Sequence, residues 1–137
     1  MSGAALAEAA RALVGCRFRL HGRDPATGLD CLGVLVVALA NIGRAPVIPE
    51  GYTLRVRGMP AELERATDYG FCTVEDAVQA GDVSVFSVGP CQLHFAIWLG
   101  AGQLVHAHAG LGKVVLTEVF SDWRQCGHWR LISKGNE

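Results

Sequence analysis

The chain has 137 residues, half of them hydrophobic and 18% charged, with twelve Lys and Arg against thirteen Asp and Glu for a net charge of −1. That composition supplies enough core to offset ordering entropy, which excludes a disordered chain, and the length fits one compact domain over 1–137. The basic residues are scattered, so no nucleic-acid or membrane-surface partner is expected; either would need a clustered cationic face.

In chain order, Met1–Val14 carries Leu6, Ala10, Leu13 and Val14 at helical spacing and predicts an amphipathic first helix. Glu8 and Arg11 interrupt it, so it does not read as a secretion signal. Gly22–Gly28 (GRDPATG) predicts a loop. Leu32–Ile42 is an apolar run of eleven residues broken only by Gly33 and Asn41, about half the length a membrane span requires. Its leucines and alanines and the Asn41-Ile42-Gly43 stop predict a helix buried on nearly all sides, with Asp30 as its cap. Arg44–Gly58, with Pro46 and Pro49, predicts an irregular stretch, and Pro60–Tyr69 a short surface helix opened by its proline.

From Gly81 onward the pattern changes to strands: Asp82–Val88, His94–Leu99, Gln103–His108, Lys113–Val119 and Trp129–Ser133, with glycine turns at Gly100-Ala101-Gly102 and Gly110-Leu111-Gly112. Helices first and a meandering antiparallel sheet afterwards make an α+β layout.

Five cysteines (16, 31, 72, 91 and 126) with no Cys-x-x-Cys pair suggest free thiols in a reducing compartment. Cys31 stands on the first turn of the predicted buried helix. Backbone N–H groups there favour an anion, can lower a thiol pKa to roughly 3.5–7.5, and can bind a developing oxyanion. The plain alternative is a small buried side chain, the common state of a free cysteine.

A three-residue turn at Gly100–Gly102 pairs Leu99 with Gln103 and Ala96 with His106. His94 then opposes His108 and lies diagonal to His106, and all three imidazoles share one face; a one-residue change in the turn would separate them. A cysteine nucleophile needs an imidazole to take its proton and a third group to orient that imidazole. Cys91, His94, His106, His108, Cys126 and His128 could instead supply zinc ligands, but their spacing is not that of a compact finger. Trp123, Arg124, Trp129 and Arg130 lack the wider basic field of a nucleic-acid surface and are expected to pack, Trp123 near Trp129.

Asp30-Cys31-Leu32-Gly33 before an apolar helix resembles the nucleophile motif of NlpC-type cell-wall peptidases. His94-Phe95-Ala96-Ile97-Trp98-Leu99-Gly100 and Leu104-Val105-His106-Ala107 resemble the family's His strand and third-residue strand. Gly15-Cys16-Arg17-Phe18 stands where the family has Gly-Thr-Pro-Tyr, and Ala80-Gly81-Asp82-Val83 where it has a Gly-Asp turn into the sheet. The resemblance covers nearly the whole chain in the right order. It implies a papain-like α+β fold and cleavage of amide bonds in peptidoglycan stem peptides, with no cofactor. Cys31 carries over as nucleophile, with its backbone N–H in the oxyanion hole, His94 as base and His106 as the orienting group. Asp30 is expected to bind a substrate amine or to organise the pocket; Phe18 lies at a substrate-binding position.

Three departures bear on substrate choice: Phe18 for tyrosine, Leu32 for serine after the nucleophile, and a second histidine, His108, that could orient the base. The Asp-Cys-Leu-Gly variant on a short domain resembles the peptidase subunits of phage tails and gene transfer particles. That implies synthesis in the cytoplasm without a signal peptide, carriage in a virion or phage-like tail, and other tail proteins as partners. A structural subunit with an inactive peptidase fold, and a thiol acyltransferase or amidase on another substrate, are the alternatives.

Overall fold

A computed structural model describes residues 2–44, 71–89, 92–119 and 123–131. The elements run α1 (Ser2–Arg11), β1 (Arg23–Asp24), β2 (Gly28–Leu29), α2 (Cys31–Asn41), β3 (Phe71–Thr73), β4 (Val83–Gly89), β5 (Gln92–Gly100), β6 (Gln103–His108), β7 (Lys113–Glu118) and β8 (Arg124–Leu131). Two helices pack on one face of a six-stranded antiparallel sheet, the expected α+β arrangement. The expected irregular stretch and surface helix over 44–69 lie, apart from Arg44, outside the described residues.

α1 is shorter than its apolar pattern suggests. It ends at Arg11, and turns carry the chain to Gly15. Leu6, Ala10 and Leu13 are buried as expected, whereas Val14 is exposed. The expected loop over Gly22–Gly28 contains a small hairpin, β1–β2, closed where Asp24 accepts the N–H of Ala26 on its side chain and that of Thr27 on its carbonyl.

The sheet order is β3-β8-β4-β5-β6-β7. Only β4 to β7 form the expected meander; β8 returns to pair with β4 and with β3. β8 also begins five residues before the expected Trp129, because the ladder against β4 continues past Gly127 through a bulge to Arg124. Polar residues dominate that stretch, which hid it from an apolar-run criterion.

The two sheet faces bury different clusters. Val83, Val85, Phe95, Ile97, Val105, Ala107, Val114, Trp129 and Leu131 meet α1 and α2. Phe86, Ala96, Trp98 and Leu104 form a second cluster with Trp123 packed on it, so the expected packing of Trp123 with Trp129, which belongs to the first cluster, does not occur. Side chains alternate along a strand, so His94 and His106 fall on the second face.

Candidate active site

The N-terminus of α2 is built by its neighbours in the chain. Asp30 is extended (φ −93°, ψ −174°), and its Oδ1 accepts the Gly33 N–H at 2.7 Å, a side-chain cap. The same carboxylate accepts the His21 N–H at 2.8 Å on Oδ2 and the Arg23 guanidinium at 3.0 Å on Oδ1. Asp30 is buried and carries three hydrogen bonds from this chain. Gly33 lets the loop close over the helix end: a Cβ there would land well inside contact distance of the Gly22 carbonyl oxygen.

Cys31 is buried on the first turn of α2. Burial pushes its thiol up to about 12, and the Asp30 charge adds to the rise. The N–H groups of Phe95, Leu32 and Cys31 itself act the other way and are outweighed. The expected lowering by the helix end is therefore corrected: desolvation of a buried thiolate exceeds what a few backbone dipoles return. α2 packs on β5, the strand that carries Phe95 and, one residue before it, His94.

On β5 and β6, the sequence-derived register is close to the observed one. Trp98 pairs with Leu104 and Ile97 with Val105. Gly100, not Leu99, faces Gln103, and Leu99 is the extra residue of a bulge that restores the register. His94 Nε2 meets His106 Nδ1 at 3.0 Å, with the two rings edge to face. His106 Nε2 meets Thr117 Oγ1 at 2.8 Å, and that hydroxyl donates to the Glu118 carbonyl at 2.9 Å. His108 Nδ1 instead accepts the Leu111 N–H at 3.1 Å. Among the described residues, no hydrogen bond joins Cys31 to His94.

Trp123 presents its ring to both imidazoles, 5.1 Å from His94 and 5.2 Å from His106 between centroids. Burial is the chief reason that His94 is pushed down to about 3 and His106 to about 4; the neighbouring histidines add to it. At neutral pH the structure therefore holds a neutral thiol and two neutral imidazoles. Trp123 and Thr117 were not singled out as site residues by the sequence. Thr117 is nonetheless findable there, since the β6–β7 register places it opposite Leu104 and diagonal to His106.

Phe18 is half-buried, bridges to Leu29 and packs against the core cluster. Asp82, from the Gly-Asp turn, is a scaffold residue. It accepts from His128 Nε2 (2.6 Å), Arg130 Nε (2.9 Å) and the Gln79 N–H (2.9 Å). Arg130 also grips Asp76, so its guanidinium tethers β8 to the entrance of β4. Among the described residues, no group of three or more His, Cys, Asp or Glu side chains is arranged to hold a metal ion, and no helix is long and apolar enough to cross a membrane.

A sequence model of the NlpC/P60 family matches residues 15–130. No curated protein matches the chain. Among solved structures, the NlpC/p60 domain of the peptidoglycan hydrolase SagA superposes with a TM-score of 0.64 at 27% identity, covering 97% of this chain and 100% of that one. NlpC1 from Trichomonas vaginalis gives 0.71 at 20% identity, covering 96% of this chain and 45% of that one. RipB, a peptidoglycan hydrolase from Mycobacterium tuberculosis, gives 0.61 at 20% identity over 96% and 65%. The chain thus spans under half the length of NlpC1 and about two-thirds of RipB.

Proposed function

The chain belongs to the NlpC/P60 family, and from that premise we propose that it is a cysteine peptidase cleaving amide bonds in the stem peptides of peptidoglycan. The observation that carries the reading is the packing of α2 on β5: the helix that begins at the buried Cys31 meets the strand whose His94 imidazole is already held by a second imidazole. SagA, at 27% identity, and RipB are both peptidoglycan hydrolases, which supports the choice of substrate.

In this reading Cys31 and the His94 nitrogen not engaged by His106, Nδ1, close to hydrogen-bond distance when substrate fills the site, while His106 keeps its hold on Nε2. Catalytic hydrogen bonds are commonly long before substrate binds. The thiol proton passes to Nδ1 as sulfur attacks the scissile carbonyl. The resulting oxyanion accepts from the Cys31 backbone N–H. Collapse breaks the C–N bond, and the departing amine takes the proton back from His94. Water, deprotonated by the same imidazole, then hydrolyses the thioester and restores the thiol. His106 fixes the imidazole plane throughout.

Asp30 organises the pocket in this scheme. Its hydrogen bonds to Gly33, His21 and Arg23 commit it to the α2 cap and its loop, so a substrate ammonium would have to compete with Arg23. Phe18 flanks the site without a hydroxyl and offers only apolar contact. Carriage in a phage-like tail rests on the likeness of Asp30-Cys31-Leu32-Gly33 to tail peptidases. It is checked by looking for the chain in purified particles by mass spectrometry.

The deciding experiment incubates purified peptidoglycan with the protein and with Cys31→Ala, and identifies the released peptides by mass spectrometry. Release that depends on Cys31 supports the proposal. A folded wild-type protein that releases nothing, or equal release by both, overturns it.

A further inference from the structure

We infer that Thr117 is a positioning residue that sets the protonation pattern of the imidazole pair, so that His94 presents a bare Nδ1 toward Cys31; this deepens the peptidase reading and rests on it. The inference comes from counting protons along one hydrogen-bonded chain. A backbone carbonyl has no proton to give, so the contact between Thr117 Oγ1 and the Glu118 oxygen uses the hydroxyl hydrogen. Toward His106 the same oxygen can then only accept, and His106 Nε2 must carry a hydrogen. In a neutral imidazole the other nitrogen is then a bare acceptor. His106 Nδ1 therefore receives a hydrogen from His94 Nε2 across 3.0 Å. By the same rule, His94 Nδ1 is left with its lone pair. That is the form a general base requires.

The reverse chain is the competitor. If the Thr117 hydroxyl turned to donate to His106 Nε2, His106 would protonate on Nδ1 and donate to His94 Nε2. His94 would then carry its hydrogen on Nδ1, where it could take no proton from a thiol. The reversal also strips the Glu118 carbonyl of the hydroxyl it accepts. One hydroxyl on β7, two residues beyond the cross-strand partner of His106, thus decides the state of an imidazole two strands away. A valine at 117 would suit the strand equally well but would remove the acceptor that holds the hydrogen on His106 Nε2.

The test reads tautomers directly, without needing activity. Histidine side chains labelled with ¹⁵N are observed at pH 7 in the wild type, Thr117→Val and Thr117→Ser. The expected wild-type pattern is Nε2–H on both His94 and His106, with Nδ1 bare. Thr117→Val should show a population with Nδ1–H, and Thr117→Ser should restore the wild-type pattern. On peptidoglycan, Thr117→Val should lower kcat by roughly 10- to 100-fold, the order for loss of an orienting partner, with KM little changed, while Thr117→Ser recovers most of the rate. A wild-type His106 bare at Nε2, or tautomers and kcat unmoved in Thr117→Val, overturns the inference. A wild type with the expected tautomers but no hydrolysis would overturn the peptidase reading and leave the tautomer assignment standing.

Discussion

His94 and His106 share a hydrogen bond, Nε2 to Nδ1 at 3.0 Å, beside Trp123 and the cluster of Phe86, Ala96, Trp98 and Leu104. His108, two residues further along β6, turns its Nδ1 to the Leu111 N–H instead. The pairing puts His106, the orienting group that the family resemblance implies, beside His94, and gives His108, the alternative, a different partner. Truncating His106 to Ala should lower kcat on peptidoglycan by about two orders of magnitude, as for a lost orienting partner. His108→Gln should change it by less than about three-fold, because its Nδ1 engages the Leu111 N–H and not His94. Equal losses in the two variants would reject this division of roles.

Burial of the imidazole pair has a consequence for acid stability. His94 is depressed to about 3 and His106 to about 4, below the ordinary value near 6.5. The unfolded chain therefore binds more protons than the folded one as pH falls below that value. Stability is fully present above about pH 6.5 and is lost progressively toward pH 3. Asp82 contributes lower down: burial opposes its charge, but hydrogen bonds from Arg130, Gln79 and His128 hold its carboxyl below the ordinary range. Melting temperatures from pH 7 to pH 4 should fall more steeply for the wild type than for a His94→Gln, His106→Gln double variant. Parallel curves would mean that the pair is not held neutral by burial.

The thiol behaves in the opposite sense. With Cys31 pushed up to about 12 by burial, the free protein holds almost no thiolate at neutral pH. Iodoacetamide at pH 7 should label the exposed Cys126 before Cys31, and the Cys31 rate should climb only toward strongly alkaline pH. Peptide mapping of the alkylated protein distinguishes the sites. Fast Cys31 labelling that saturates near neutrality would place an ion pair with His94 in the resting state.

The cap of α2 bears on stability. Asp30→Ala removes the acceptor for Gly33 and leaves the His21 N–H and the Arg23 guanidinium without their partner on a buried carboxylate. The expected loss is about 2–4 kcal/mol from the cap and the orphaned donors together. That corresponds to roughly 5–15 °C in melting temperature for a chain of this size. Asp30→Asn, which keeps one acceptor oxygen, should recover part of it. A shift under about 1 °C for Asp30→Ala would contradict the capping role.

Much of this arrangement was legible because it depends on local rules. Asp30 before Cys31 is a cap at any tertiary setting. The glycine turn after Leu99 fixed the face of three histidines through the period of two, and the Leu99 bulge kept that register. What escaped depends on packing. The helix end alone favours a thiolate at Cys31, and burial in the core, with the Asp30 charge beside it, reverses the direction. The return of β8 beside β4 is a long-range pairing in which the first half of β8, Arg124 to His128, is polar and has no apolar periodicity to announce it. The proton chain through Thr117 requires three strands in register at once.

Trp123 links the second cluster to the chemistry. Its ring stands against His94, His106 and Phe86, with centroids 5.1, 5.2 and 5.4 Å away. Burial is the largest cause of the low His94 and His106 values, and this indole supplies part of that cover. Trp123→Ala admits water to both rings, so both should titrate nearer their ordinary value. A base works only while unprotonated, so the acid limb of kcat/KM, which reports the free enzyme, should move to higher pH in the variant. Trp123→Phe keeps an aromatic cover and should leave the limb close to that of the wild type. An acid limb unmoved in a folded Trp123→Ala protein would mean that the indole does not keep water from the imidazoles.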